Sequence, residues 1–322
     1  MRKSTFSLVR RSSFVLLLLL CLYRLEGHAF ERNLWDDGWR FAICQDDSPQ
    51  QSVFDDSAWR LLDLPHDWAI EEDFHALHPS GANGGALPGG KGWYRKHLVL
   101  QDKDASSRYA LHFDGAYMNT SVYVNSQLVG TRPYGFISFS FDLTPYLNKQ
   151  GDNVIAVKVD NSQQPNSRWY TGCGIYRHVY LMKSTDVRVA QWGVQAITEV
   201  KKGVGNVMLN TQIENLSGRN RRLMVCQKVW NKNHEVVAQS SKAINVVAPV
   251  TMVSQQMRVQ KPKLWLLSSP YLYTVTTEVL ENDRVIDCDT FKLGLRTVKF
   301  DVQKGFFLNG ENIKINGVCL HG

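Results

Sequence analysis

Arg168, Trp169 and Tyr170 sit side by side in NSRWYTGCGIYRHVYL, residues 166–181, with Gly172 and Gly174 just beyond them. A guanidinium fork donates to hydroxyls, and Trp and Tyr present flat apolar faces, so this grouping suits a polar ring such as a sugar. The same aromatics could instead plug the end of a β-sandwich, because large rings are mostly buried. The residue types leave both roles open. His75-x-x-His78 has a spacing that metals use, but no Cys or third His stands near it, so neither a metal nor another cofactor is expected. Cys44, Cys173, Cys226, Cys288 and Cys319 are widely spaced and odd in number once the leader described below is set aside. They form neither a zinc pattern nor a disulfide framework, and one bridge at most is expected.

The elements around residues 166–181 indicate how the group is held. Ile155, Val157 and Val159 alternate with Ala156, Lys158 and Asp160, which predicts a half-buried strand over 154–160. Pro165 has no N–H to continue the ladder, glycines allow turns closed to other residues, and alternation resumes over 175–181. A loop anchored by strands at both ends is a common mount for binding groups.

Earlier in the chain come Trp35, Trp39, Phe41, Phe54 and Trp59, and in FDDSAW either Asp56 or Ser57 is placed to cap one helical turn. In LPHDW, Pro65 forces an extended entry and Asp67 can close a local turn. Residues 77–92 hold six glycines and two prolines, which predicts a loop without regular structure, long enough to reach over a site. Trp93 restarts a strand. YALHF, TSVYVN and FISFSF follow, broken at Asp114-Gly115, Asn125-Ser126 and Pro133. Short strands with turns between them and almost no helical period predict an all-β sandwich closing near Lys183.

A second β-unit is expected over 184–296, with strands VMLNTQIEN, LMVCQKVW, VVAQSSKAINVV, TMVSQQMRV, YLYTVTTEVL and VIDCDTFKLG. Hairpin turns are predicted at 215–218 and 281–283. Size and strand number match an immunoglobulin-like sandwich, with no motif that asks for chemistry. After Phe300 the sequence predicts GFFLNG, a turn at Glu311-Asn312, and one strand ending in His321.

The N-terminus carries Arg2, Lys3, Arg10 and Arg11, an apolar run over 14–23, and Gly27-His28-Ala29. This is a secretory signal over 1–29, cleaved near Ala29, which predicts a periplasmic or secreted protein. A lipoprotein reading through Cys21 is weakened by Leu20, where a small residue is wanted. No later stretch is long and apolar enough to span a membrane. The formal charge of +7 includes five of the 37 Lys+Arg and one of the 30 Asp+Glu that lie in the leader; without them the balance is 32 against 29, or +3. A nucleic-acid or membrane-surface role thereby loses most of its support.

Taken in order, W-x-F, FDDSAW, LPHDW, GWYRK, GCGIYRHVYL, LWLLSSPYLYTV, FKLGLRT and FFLNGENIKINGVCLH resemble glycoside hydrolase family 2, with secreted bacterial β-galactosidases as the subgroup most alike. The resemblance implies a jelly-roll sugar-binding domain over 30–183, an immunoglobulin-like domain over 184–296, and the first strand of a (β/α)8 barrel over 297–322. In the family, two glutamates of the barrel carry a retaining double displacement. A barrel needs roughly 200 residues or more, and only 22 follow Phe300. No catalytic residue is therefore assigned; Glu199, Glu214, Glu278 and Glu311 lie at strand ends and turns, outside any family catalytic motif.

The resemblance carries three residues over as substrate contacts. Arg168 stands six positions before Gly174, where relatives point an acid or arginine at the substrate. Asn166 lies beside it, and His321 matches the family histidine at the end of the first barrel strand. Cys319 replaces the commoner Asn of that motif, and Asn125-Ser126 replaces a commoner Asn-Gly, which weakens the case for a tight hairpin turn there. The implied partner is carbohydrate, a β-galactoside, with the chain inactive alone. The alternative is a secreted carbohydrate-binding or structural β-sandwich protein without catalysis. Self-association through the surface left by a missing barrel, and a loosely docked tail after Phe300, are also expected.

Overall fold

The computed structural model describes residues 30–101, 106–247 and 249–319. The leader, its cleavage position and His321 lie outside the described residues. Among the described residues the first unit contains ten strands: β1 (Glu31–Leu34), β2 (Trp39–Ile43), β3 (Arg60–Leu62), β4 (Gly90–Gln101), β5 (Arg108–Phe113), β6 (Thr120–Val124), β7 (Gln127–Arg132), β8 (Phe139–Asp142), β9 (Gln150–Asn161) and β10 (Val179–Ser184). They form a six-stranded sheet, β3-β2-β4-β9-β6-β7, and a four-stranded sheet, β1-β10-β5-β8. Their facing sides enclose Trp39, Tyr94, Leu111, Phe113, Phe139, Ile155, Val157 and Ile175 in a jelly-roll core.

β9 is not half-buried as its alternation predicts, because both faces of the larger sheet are covered. Residues 44–59 pack over the outer face, where Trp93, Tyr123 and Ala156 meet Cys44 and Trp59. Arg95 is buried there and pairs with Asp56 at 2.8 Å, while donating to the carbonyls of Gln51 and Phe54. FDDSAW is consequently a turn, not a helical turn. Asp55 accepts from the Ser57 amide (2.9 Å), and Asp56 serves Arg95 instead of a cap. β7 escaped notice because QLVGTR carries little alternation. Asn125 and Ser126 both take positive φ, 50° and 73°, so the tight turn forms without glycine. Ser126 Oγ accepts from the Ser52 amide at 2.7 Å, which ties the turn to the covering segment.

The second unit comprises β11 (Val187–Lys201), β12 (Val204–Asn215), β13 (Arg221–Trp230), β14 (Val236–Val246), β15 (Val250–Gln260), β16 (Tyr273–Glu281) and β17 (Arg284–Leu293). Sheets β11-β12-β15 and β14-β13-β16-β17 stack as an immunoglobulin-like sandwich. β12 alternates buried and half-buried residues along its length, the period-2 signal of a strand with one face on the core. β11 was not predicted. Its register shifts between Val189 and Val194, and that bulge interrupts the alternation that would have revealed it. Asn282 and Asp283 form a hairpin turn with φ of 50° and 62°. Residues 215–218 do not form one: β12 and β13 belong to different sheets, so this segment crosses between layers.

After Arg296 come β18 (Val298–Asp301), β19 (Gly305–Leu308) and β20 (Glu311–Asn312), a small three-stranded sheet. Glu311-Asn312 is a strand, and the turn lies at Asn309-Gly310, whose φ values are 52° and 87°. This sheet is tied down, contrary to the loose docking expected. Asn309 Nδ2 donates to the Trp265 carbonyl (2.9 Å), and its Oδ1 accepts from the Thr297 amide (2.9 Å). Residues 313–319 form no strand, and no strand pairs with them among the described residues. No helix of the described residues is long and apolar enough to cross a membrane.

Candidate sugar-binding site

Residues 166–174 are held by LPHDW, a segment about a hundred positions earlier in sequence. The His66 amide donates to the Ile175 carbonyl (2.8 Å), and the Trp68 amide donates to the Cys173 carbonyl (3.1 Å). Between these two bonds stands Asp67. Its Oδ1 accepts from the amides of Ala69 (3.1 Å) and Cys173 (2.9 Å), and its Oδ2 accepts from the Tyr170 hydroxyl (2.5 Å). One carboxylate therefore closes its own turn and clamps the aromatic end of the distant loop. Burial, reinforced by the Asp67 carboxylate, raises the Tyr170 phenol well above its usual range, so it remains a hydrogen-bond donor.

Beneath the clamp, Gly174 is the point of closest approach. A Cβ there would stand 2.4 Å from Tyr94 Oη and 2.7 Å from the His66 carbonyl, and its φ is +125°. Burial, with the Arg60 charge adding to it, lowers the His66 pKa despite the opposing pull of Glu71, which favours the neutral ring. His66 Nε2 faces both Arg60 Nη2 (2.9 Å) and Glu71 Oε1 (3.3 Å), and Nδ1 shares a hydrogen bond with Tyr94 Oη (2.8 Å). Tyr94 Oη in turn faces the Ile175 amide at 3.4 Å.

The other end of the loop is fixed by Asn161, the last residue of β9. Its Nδ2 donates to the Gly172 carbonyl (3.1 Å) and toward Cys173 Sγ (2.9 Å). Its Oδ1 accepts from Gln164 Nε2 (2.9 Å) and from Asn166 Nδ2 (2.5 Å). Asn166, one of the sequence candidates, is thus exposed yet has its amide nitrogen committed to Asn161. Burial pushes the Cys173 thiol up to about 12, so it is a packing residue and no nucleophile.

Arg168 and Trp169 project from this frame into solvent. Arg168 has no hydrogen-bond or ion-pair partner among the described residues, whereas Tyr170 turns inward to Asp67. The two roles that the residue types left open are therefore divided within one tripeptide. Beside the loop, residues 118–119 and 160–166 line a polar groove of about 430 Å³.

The glycine-rich loop over 77–92 is ordered rather than irregular. The Ala86 amide donates to the Gly81 carbonyl (2.8 Å), Ser80 Oγ to the Leu87 carbonyl (2.6 Å), and Leu87 is buried. His75 and His78 serve it internally: His75 Nδ1 accepts from the Leu77 amide (3.1 Å), and His78 Nδ1 donates to the Ala86 carbonyl (2.8 Å). Among the described residues no group of three or more His, Cys, Asp or Glu is placed to hold a metal, and all five described cysteines are free. This surface can orient hydroxyls and cover an apolar ring face.

Sequence reading missed Asn161 and the clamping role of Asp67. The signal for Asp67 was present in its position, a carboxylate between a buried histidine and a buried tryptophan, which needs donors from elsewhere in the chain.

Comparison with known proteins agrees with this anatomy. "Glycosyl hydrolases family 2, sugar binding domain" matches residues 82–185, and "Glycosyl hydrolases family 2" matches residues 187–296. A β-galactosidase of Bacteroides ovatus is 46% identical over 295 residues, covering 90% of this chain and 34% of that protein. A putative β-glucuronidase of Formosa agariphila is 38% identical over 309 residues, covering 95% of this chain and 29% of that protein. A solved family 2 glycosyl hydrolase of Bacteroides cellulosilyticus superimposes with a TM-score of 0.87 at 33% identity, over 90% of this chain and 38% of that one. The chain spans about a third of the length of these curated relatives. With a sugar-binding jelly roll followed directly by the family's immunoglobulin-like sandwich, the chain belongs to glycosyl hydrolase family 2.

Proposed function

We propose that these two domains serve a β-galactosidase-type hydrolase, supplying one wall of its glycoside site through Arg168 and Asn166, while a barrel supplies the catalytic carboxylates. The observation that carries this reading is the unpartnered Arg168, exposed on a loop clamped at Asp67 and Asn161. A guanidinium held on a rigid frame loses little freedom when it donates to a substrate hydroxyl. A galactoside is favoured over a glucuronide by the higher identity to the β-galactosidase, 46% against 38%. The signal over 1–29 supports a periplasmic or secreted location, and His321 is a further substrate contact by its place in the NGVCLH motif. The two-domain chain alone is inactive in this account and binds sugar weakly, because one wall desolvates too little of a ligand.

The test is release of chromophore from aryl β-galactoside and aryl β-glucuronide by the purified chain and by a product extended through any reading frame that follows Gly322. Hydrolysis of the galactoside by the extended product only is the expected result. Hydrolysis by the 322-residue chain itself would overturn the assignment of catalysis to a barrel, and a preference for the glucuronide would overturn the substrate class.

A further inference from the structure

The charge of the chain is divided unevenly between its two sandwiches. Residues 30–186 hold 14 Lys+Arg against 19 Asp+Glu, or −5, whereas residues 187–296 hold 15 against 8, or +7. An asymmetry of this kind points to an anionic partner for the second unit. At the end of that unit where β12 begins and β13 finishes, a hollow of about 290 Å³ gathers part of the excess. Lys232, Lys261 and Lys263 line it, and no carboxylate does.

Each of these lysines is pinned through its backbone. The Lys232 amide donates to Tyr271 Oη (3.1 Å), and the Lys263 amide donates to Tyr273 Oη (2.8 Å). The Lys261 amide donates to the Gly203 carbonyl (3.0 Å), which seats it, with a φ of 45°, beside the turn between β11 and β12. Asn231 holds the turn that carries Lys232, its Oδ1 accepting from the amides of Asn233 (2.9 Å) and Glu235 (3.0 Å). The ammonium groups of Lys232 and Lys263 converge on one ring, 5.0 and 5.4 Å from the Tyr271 centroid. None of the three ammoniums has an ion-pair or hydrogen-bond partner among the described residues. The carboxylate of the same turn, Glu235, accepts from Asn231 Nδ2 instead (2.7 Å). Like charges gathered on pinned segments repel one another, and a bound anion relieves that repulsion.

The lining narrows the class of molecule that brings the anion. Tyr271 is flanked by the two ammoniums and by the Tyr273 ring, 5.0 Å between centroids at 66°, so it offers no open face for a nucleobase to stack on. No exposed large apolar side chain lines the hollow, which leaves a membrane surface without an anchor. What remains is a polar, cationic seat. Lysine point charges suit carboxylate or sulfate groups, and the side-chain amides of Asn233 and Gln260 suit hydroxyls. An acidic polysaccharide carries both kinds of group.

We infer that this end of the second sandwich binds acidic polysaccharide, with Lys232, Lys261 and Lys263 holding its carboxylate or sulfate groups. The site is independent of the Arg168 loop, being lined by none of residues 30–186, and it anchors the protein to an anionic glycan whichever glycoside is hydrolysed.

Isothermal titration of the full chain tests this, with polygalacturonate as the carboxylated probe, heparin as the sulfated one, dextran as the neutral control and oligothymidylate as the nucleic-acid control. At about 50 mM NaCl at least one acidic glycan should bind, its affinity falling about tenfold or more by about 300 mM as the charges are screened. The stronger of the two probes identifies the acid group preferred. A triple variant, Lys232→Gln with Lys261→Gln and Lys263→Gln, should bind about tenfold more weakly, as for three exposed charge contacts. A control triple, Arg219→Gln with Arg222→Gln and Lys242→Gln, removes as much charge from exposed positions elsewhere on the same sandwich and should change affinity by less than about twofold. Circular dichroism checks the folding of both. Failure of both acidic glycans to bind, equal losses in the two triple variants, or dextran or oligothymidylate binding as tightly as the acidic glycans would each overturn the inference.

Discussion

Replacing Asp67 by alanine should loosen the Arg168 loop by an amount that the geometry sets. The carboxylate accepts from Tyr170 Oη at 2.5 Å, from the Cys173 amide at 2.9 Å and from the Ala69 amide at 3.1 Å. A hydrogen bond to a charged group is worth about 1.5–3 kcal/mol, and a stranded buried donor costs about 1–3 kcal/mol. Asp67 is half-buried, so water replaces part of what is lost. The net destabilisation of the jelly roll is then about 2–4 kcal/mol, a fall of roughly 5–15 °C in its melting temperature. Tyr170→Phe removes one of the three bonds and should cost less, and the double variant should be no worse than Asp67→Ala by the full cost of Tyr170→Phe, because the partner is already gone. Differential scanning calorimetry gives the melting temperatures, with the two sandwiches free to unfold as separate transitions. Hydrogen exchange locates the change, with faster exchange at the Ala69 and Cys173 amides. A loss under about 1 kcal/mol with unchanged exchange at Cys173 would refute the clamp.

Other substitutions probe the same frame. Gly174→Ala should cost about 2–4 kcal/mol by urea denaturation, from overpacking against Tyr94 and His66 together with the positive φ. Ser126→Gly should be near neutral, within about 0.5 kcal/mol, since relief of the left-handed conformation is offset by the lost bond to the Ser52 amide. Burial raises the Asp287 carboxyl from 3.8 to about 6, so the folded state holds its proton longer than the unfolded chain. Stability should therefore fall as pH rises from about 4 to 6 and level off above, by up to about 3 kcal/mol. Asp287→Asn, which keeps an acceptor for Val189, should flatten that slope and stabilise the fold at pH 7, as read from denaturant midpoints across this range.

Much of the architecture was legible because its strands obey simple periods. VMLNTQIEN and TMVSQQMRV alternate cleanly and became β12 and β15. The sequence failed where a second layer or a bulge altered the rule. β9 reads as half-buried because nothing local reveals that residues 44–59 return to cover its outer face. β11 was lost at the Val189/Val194 bulge, the same irregularity that exposes Trp192. In the candidate site, exposed residues were easier to find than the ones that hold them. Arg168 stood out by type, while Asp67 acts across about a hundred positions and Asn161 across as many as 12, through contacts that spacing does not encode. Residues 77–92 looked irregular because glycine content reports backbone freedom, whereas their order comes from His78, Ser80 and the Ala86 amide.

The most direct test of the central claim is kcat/KM for aryl β-galactoside in the extended product, with and without Arg168→Ala. Arg168 has no partner among the described residues, so its removal should leave stability within about 0.5 kcal/mol, as for surface positions generally. It should nonetheless reduce kcat/KM by about tenfold or more, the loss of one charged hydrogen bond to substrate. An unchanged kcat/KM in a folded, active protein would contradict the placement of this loop at the glycoside site.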